Sequence, residues 1–171
     1  MTELHAAQLL LADRRITLEF EPHGSGRGGP DFAITLAGAP SFNVEVTRLH
    51  RRPDRTAIGG VLLAKLRQLP PSVANILLIS VASEHAGAVD VTGAVQRLRL
   101  RADGKDETFF ARRGFDGTRA FYERFLRLGA VLIWCESNDG EARAAAWVNR
   151  SARIAVDDRG LGACLASLRA R

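Results

Sequence analysis

An α/β fold, with a mixed central β-sheet flanked by helices, is what this 171-residue chain predicts. Three patterns carry that reading. Apolar and polar residues alternate across 16–22, 30–36 and 42–49, the period-two signature of strands. Two further runs, 75–82 and 130–135, are apolar throughout and of strand length, which suits central strands covered on both faces. Helical spacing marks 4–14, 56–69, 89–101, 118–128 and 160–169, so helices and strands interleave in the order that builds such a sheet.

The elements follow in order. In 4–14, Leu4, Ala7, Leu10 and Leu11 recur at helical spacing. The glycine-rich stretch 23–30 is a loop by composition, and 38–41 is a turn between two strands. Residues 51–55 are charged and contain Pro53, so they read as an exposed connection. The helix over 56–69 is stopped by Pro70 and Pro71. The stretch 102–114 is polar and basic around Phe109 and Phe110, with no element assigned. In 118–128, Phe121, Phe125 and Leu128 share a face, and Gly129 reads as a glycine stop. Residues 138–140 form a turn, and 144–156 hold one more short strand plus a connection. No repeat or linker divides the chain, so 1–171 reads as a single domain.

With 46% hydrophobic and 25% charged residues, the composition excludes a disordered chain. No apolar run reaches the ~20 residues of a membrane-spanning helix. The first residues lack the basic start and apolar stretch of a signal peptide, so the expected address is the cytoplasm. Cys135 and Cys164 have no metal-binding spacing and lie in apolar runs, as buried thiols do. His5, His23, His50 and His85 are scattered, without ligand spacing. The net charge is +5, and Lys65 and Lys105 are the only lysines among 24 basic residues. Guanidinium groups suit phosphate, although arginine bias also follows from a genome rich in G and C.

The chemistry concentrates on Asp31 and Glu45. In 42–49, Phe42, Val44 and Val46 share one strand face, and Asn43, Glu45 and Thr47 share the other. A tight hairpin would set Asp31 beside Glu45, and a carboxylate pair of that kind is tolerated when a hard divalent cation lies between. On the following helix, Val61, Leu62, Leu66 and Leu69 fall on one face; Lys65 falls inside it and Gln68 at its edge. An inward lysine needs a partner, unless its stem covers the core while the ammonium reaches solvent. Arg48, Arg51, Arg52 and Arg55 cluster beside the carboxylates, placed for phosphate contacts, and Arg27 sits in the glycine-rich loop. Arg97, Arg99, Arg101, Arg112 and Arg113 could extend that cluster.

This order of elements, with Pro30-Asp31 on one strand and Glu45-Val46-Thr47 on the next, resembles the PD-(D/E)XK nuclease superfamily and its restriction-endonuclease-like fold. The resemblance covers roughly 3–81. It implies a hydrolase, with Asp31, Glu45 and the Val46 carbonyl holding Mg²⁺ or Mn²⁺ and Glu3 joining from the first helix. Glu19 and Glu21 compete with Glu3 for that role. Where the motif ends in lysine, this chain has Thr47, whose hydroxyl carries no charge. Lys65 resembles a catalytic lysine that has migrated to the helix, with Gln68 orienting water or phosphate beside it.

The expected function is therefore a Mg²⁺-dependent nuclease acting on nucleic acid, DNA in the first instance, with a homodimer as a common assembly of such enzymes. The alternative is a catalytically inactive module of the same fold that binds nucleic acid or another protein.

Overall fold

Six strands lie side by side in chain order in one sheet. The computed structural model describes residues 3–22, 29–50, 52–136 and 142–170. The strands are β1 (Ile16–Phe20), β2 (Phe32–Leu36), β3 (Phe42–Leu49), β4 (Ala74–Val81), β5 (Leu128–Glu136) and β6 (Ala142–Val148). β1, β2 and β3 run antiparallel, β4 and β5 run parallel to β3, and β6 closes the sheet antiparallel. The helices are α1 (Glu3–Leu10), α2 (Arg55–Leu66), α3 (Val91–Asp103), α4 (Glu107–Ala111), α5 (Gly117–Phe125) and α6 (Asp158–Arg169).

Parallel strands need long crossovers, and these carry α2 between β3 and β4, and α3 to α5 between β4 and β5. Those helices cover one sheet face through Leu62, Leu66, Leu98 and Phe121, packed with Leu77, Ile79 and Val131. The other face packs α1 and α6 through Ala6, Leu10, Leu161 and Leu168 against Phe32, Val44, Ile76 and Leu132. All eight residues of β4 are buried, which is why that strand is apolar on both faces. The sheet flanked by helices is thus the architecture the sequence predicts.

Several local details differ from the sequence reading. Helix α1 ends at Leu10, where the chain turns toward β1 through Asp13, and it buries Ala6, Ala7 and Leu10 while Leu4 is 73% and Leu11 47% exposed. Within 102–114 the structure adds α4, capped by the Asp106 carboxylate accepting from Phe109 N–H at 3.1 Å. Ser83–Ala88 forms a 3₁₀ turn that no periodicity marked. The expected turn at 138–140 lies outside the described residues. No described helix is long and apolar enough to cross a membrane. Cys135 and Cys164 are buried free thiols, and burial pushes the Cys164 thiol up to about 12.

Gly129 is the clearest correction. It does not end α5; it lies inside β5, where the register with β4 skips from Leu128 to Ala130. A Cβ there would come within 2.7 Å of the Val156 side chain and 3.1 Å of the Asn75 carbonyl. Close approach at a bulge, rather than a helix stop, is what requires glycine here.

Two buried asparagines hold the ends of these strands. Asn75 Nδ2 donates to the carbonyls of Pro70, Val73 and Arg127 at 3.0, 2.8 and 2.9 Å, and Oδ1 accepts from Asn43 Nδ2 at 3.2 Å. One NH₂ has two protons, so one of these three bonds is shared. Asn149 Nδ2 likewise donates to Phe125 and Leu128 carbonyls, at 3.1 and 2.8 Å. We predict that Asn75→Ala lowers the unfolding free energy by about 3 kcal/mol, because it strands buried carbonyls. Urea denaturation measures this, and a loss below about 1 kcal/mol would contradict the role given to Asn75.

Candidate functional site

β2 and β3 pair only over Phe32–Ile34 and Phe42–Val44. Continuing that register sets Asp31 opposite Glu45, as the hairpin reading expects. Beyond Val44 the edge of β3 facing β2 has no ladder partner in that strand. There the Val46 N–H donates to Asp31 Oδ2 at 2.6 Å, so a carboxylate replaces the missing strand carbonyl. In a strand, a residue's N–H and C=O point the same way. The Val46 carbonyl therefore faces the same open edge.

Glu45 points toward α2. Its side chain is 2% exposed, and Lys65 Nζ donates to its Oε1. Lys65 lies in the last turn of α2 and is 24% exposed. Helical phase anticipates this: Leu62, Leu66 and Leu69 are buried around it and Val61 is half-buried. The ammonium turns to a carboxylate, not outward to solvent. Glu45 Oε2 is buried with no hydrogen-bond partner among the described residues.

Both carboxyls have pKa values above the ordinary range. Burial is the main cause for Asp31; the Val46 N–H and the Lys65 charge pull it back, and the charge of Glu21 adds to the rise. Burial also leads for Glu45, offset by the Lys65 hydrogen bond, while Asp31 and Glu3 push it higher. Glu3 and Glu21 therefore approach the pair from α1 and from the end of β1.

An open cleft of about 560 Å³ lies at this end of β3, lined by Glu3, Leu4, Val46, Thr47, Arg48, His50 and Lys65. Asp31 and Glu45 are not among its lining residues, whereas four of the residues read from sequence as chemistry-bearing (Glu3, Val46, Arg48 and Lys65) share this one concavity. His50 joins them unannounced; its only sequence signal was its position immediately after the strand carrying Glu45.

Gln68 is not brought to this cleft. α2 ends at Leu66, and Gln68 is exposed in the following turn. It lines a separate depression with Arg67, Phe115, Asp116 and Arg124. Arg52 is exposed in the β3–α2 connection and is not among the cleft's lining residues. Arg27 and Arg51 lie outside the described residues. Arg97, Arg101 and Arg113 line a different groove together with Arg55, so they do not extend the cluster at Arg48.

No protein-family model, curated protein or solved structure matched this chain. The site must therefore be read from its own chemistry. Among the described residues, no group of three or more His, Cys, Asp or Glu side chains is placed to hold a metal ion. What the site offers is two desolvated carboxylates and an ammonium, with one carboxylate oxygen lacking a donor. Carboxylate oxygens suit hard cations, and Mg²⁺ in particular is held by one or two carboxylates while keeping water and substrate oxygens.

A raised carboxyl pKa has a consequence for stability. The folded state holds these protons more tightly than the unfolded state does. The contribution is fully present below the unfolded-state pKa values and is lost as pH rises through the folded ones. We predict that Asp31→Asn raises Tm by a few degrees at about pH 8 in metal-free buffer. The gain should shrink toward pH 4, because the raised proton affinity of Asp31 favours its neutral form as pH falls. Thermal denaturation at the two pH values measures this, and a variant less stable than wild type at pH 8 would contradict it.

Proposed function

We propose that this chain is a Mg²⁺- or Mn²⁺-dependent nuclease of restriction-endonuclease-like fold, hydrolysing phosphodiester bonds of nucleic acid, DNA in the first instance. The observation that carries the proposal is the convergence of Asp31 and Glu45, from neighbouring strands, with Lys65 from the helix that follows. Few structural roles call for a buried and a half-buried acid on neighbouring strands, the buried one with an unmatched oxygen.

The donor set fits a small hard cation. Asp31, Glu45 and the Val46 carbonyl would hold it, with Glu3 at the cleft rim as a further carboxylate. Such a cation supplies Lewis-acid polarisation of a phosphoryl oxygen and acidifies water. Lys65 is placed beside Glu45, where an ammonium can stabilise the charge that develops on an attacked phosphate. Thr47 can donate only a neutral hydrogen bond from the wall of the cleft. Arg48, exposed at the same cleft, provides a guanidinium for the phosphate backbone. Both acids lose hydration in place, so a cation would relieve a cost the fold already carries.

A second reading is a catalytically silent module that binds nucleic acid or protein. Thr47, uncharged where the resembling family has lysine, favours it.

Plasmid and oligonucleotide cleavage with Mg²⁺ or Mn²⁺ separates the two. Under the first reading Asp31→Ala and Lys65→Ala each lose at least about 100-fold in rate, in the range typical of removing one electrostatic or acid–base element. Circular dichroism checks that each variant is folded before its rate is compared with wild type. Wild type no faster than the variants on DNA and RNA would sink the nuclease proposal. Salt-sensitive DNA binding in that case would support the silent module. Independently of activity, Mn²⁺ binding followed by electron paramagnetic resonance should weaken about tenfold or more in Glu45→Gln.

A further inference from the structure

The arginines that the sequence places away from the carboxylates are not scattered. Arg55 and Thr56 at the start of α2, Arg97 and Arg101 on α3, and Arg113 after α4 line one groove of about 140 Å³. Its floor includes Gly59, Gly60, Leu63, Leu98 and Phe109. It shares no lining residue with the cleft at Lys65. Gly60 lies about 140° around the helix from Lys65, so the two sites occupy different sides of α2.

From this arrangement we propose that the α2–α3–α4 groove docks a short acidic segment of a partner protein, with an apolar side chain seated on its floor. Three observations carry the choice of occupant.

The first is charge. Arg55 and Arg101 are ion-paired, with Asp90 at 2.7 Å and Asp106 at 2.5 Å. Arg97 and Arg113 have no ion pair among the described residues; they donate to neutral oxygens, Thr56 Oγ1 at 3.3 Å and the Phe109 carbonyl at 3.0 Å. The groove therefore offers two uncompensated guanidiniums flanked by two aspartates. That pattern accepts spaced carboxylates, whereas the aspartates oppose a continuous run of phosphates.

The second is preorganisation. The guanidinium carbons of Arg113 and Arg101 sit 3.6 and 4.3 Å from the Phe109 ring centroid. Stacking on the ring holds both forks in place and lowers the entropy lost when a carboxylate binds.

The third is the floor. Gly59 and Gly60 interrupt the middle of α2, where each costs roughly 0.5–1 kcal/mol relative to alanine. Packing within the chain does not demand either. A Cβ on Gly59 would make an ordinary 3.8 Å contact with Leu98, and one on Gly60 would meet nothing within 4 Å. The missing side chains leave open space beside buried Leu63 and Leu98. A phosphodiester backbone makes no use of such an apolar floor; a leucine-sized side chain does.

The test uses the full chain and fluorescence anisotropy at low salt. The probes are a short labelled peptide of glutamates around one central leucine, the same peptide with glutamine at the centre, and a labelled single-stranded oligonucleotide of equal charge. Gly60→Leu fills the open space on a helix surface and favours helix, so its Tm should equal or exceed that of wild type. The leucine peptide should bind wild type, and Gly60→Leu and Arg97→Glu should each weaken it by at least about tenfold. The glutamine peptide should bind more weakly than the leucine peptide. No peptide binding by wild type, or peptide binding that both variants retain, overturns the proposal. So does an oligonucleotide that binds where the peptide does not and is lost in both variants, which would make the groove a nucleic-acid surface.

Discussion

Lys65 compensates a carboxylate that the fold has carried almost wholly out of water. A charge in that position is tolerated only when an opposite charge or a cation stands beside it, because the lost hydration is worth several kcal/mol. The compensation demands that α2 return along β3 with its last turn over Glu45, and that β2 end where Asp31 can cap the Val46 N–H. The crossover, the short β2–β3 ladder and the position of α1 all meet that requirement. If α2 were rotated by one residue, Lys65 would leave the sheet and Glu45 would be stranded.

The compensation is incomplete, and the proposed chemistry rests on that. One ammonium faces two acids, with Glu21 close enough to push the proton affinity of Asp31 upward and Glu3 that of Glu45. An interior optimised for stability would not hold this arrangement. Sites that break the rules of packing and polar satisfaction tend to be functional ones. The rest of the sheet obeys those rules closely. Asn75 and Asn149 satisfy backbone carbonyls where strands begin or end, and Gly129 lets β5 bulge against Val156 and the carbonyl of Asn75. A rigid scaffold of this kind can hold a strained pair of acids in position.

The carboxylate pairing was legible because strand alternation and a short turn leave little freedom in register. Asp31 and Glu45 follow from counting residues. Lys65 was legible through helical phase, since its neighbours Leu62, Leu66 and Leu69 are all apolar. The same phase misplaced Gln68, because the helix stops before it and the chain then turns away. Gly129 misled for a related reason: a glycine after a helix-spaced run looks the same whether it ends a helix or lies in a bulge. Only the pairing of β5 with β4 distinguishes the two. Helix α4 is five residues long, too short for any period to show.

Local periodicity and composition were enough to establish the alternation of helices and strands, the double-sided burial of β4, and the candidate acids with their lysine, because each rests on neighbours a few residues apart. Long-range placement was not available to such patterns. Glu3 and His50 come to the cleft, and Arg55, Arg97, Arg101 and Arg113 gather in a groove on another side of α2, through the packing of elements far apart in the chain. The burial that raises the proton affinity of Asp31 and Glu45 has the same origin, since desolvation belongs to the assembled layers and not to any one segment.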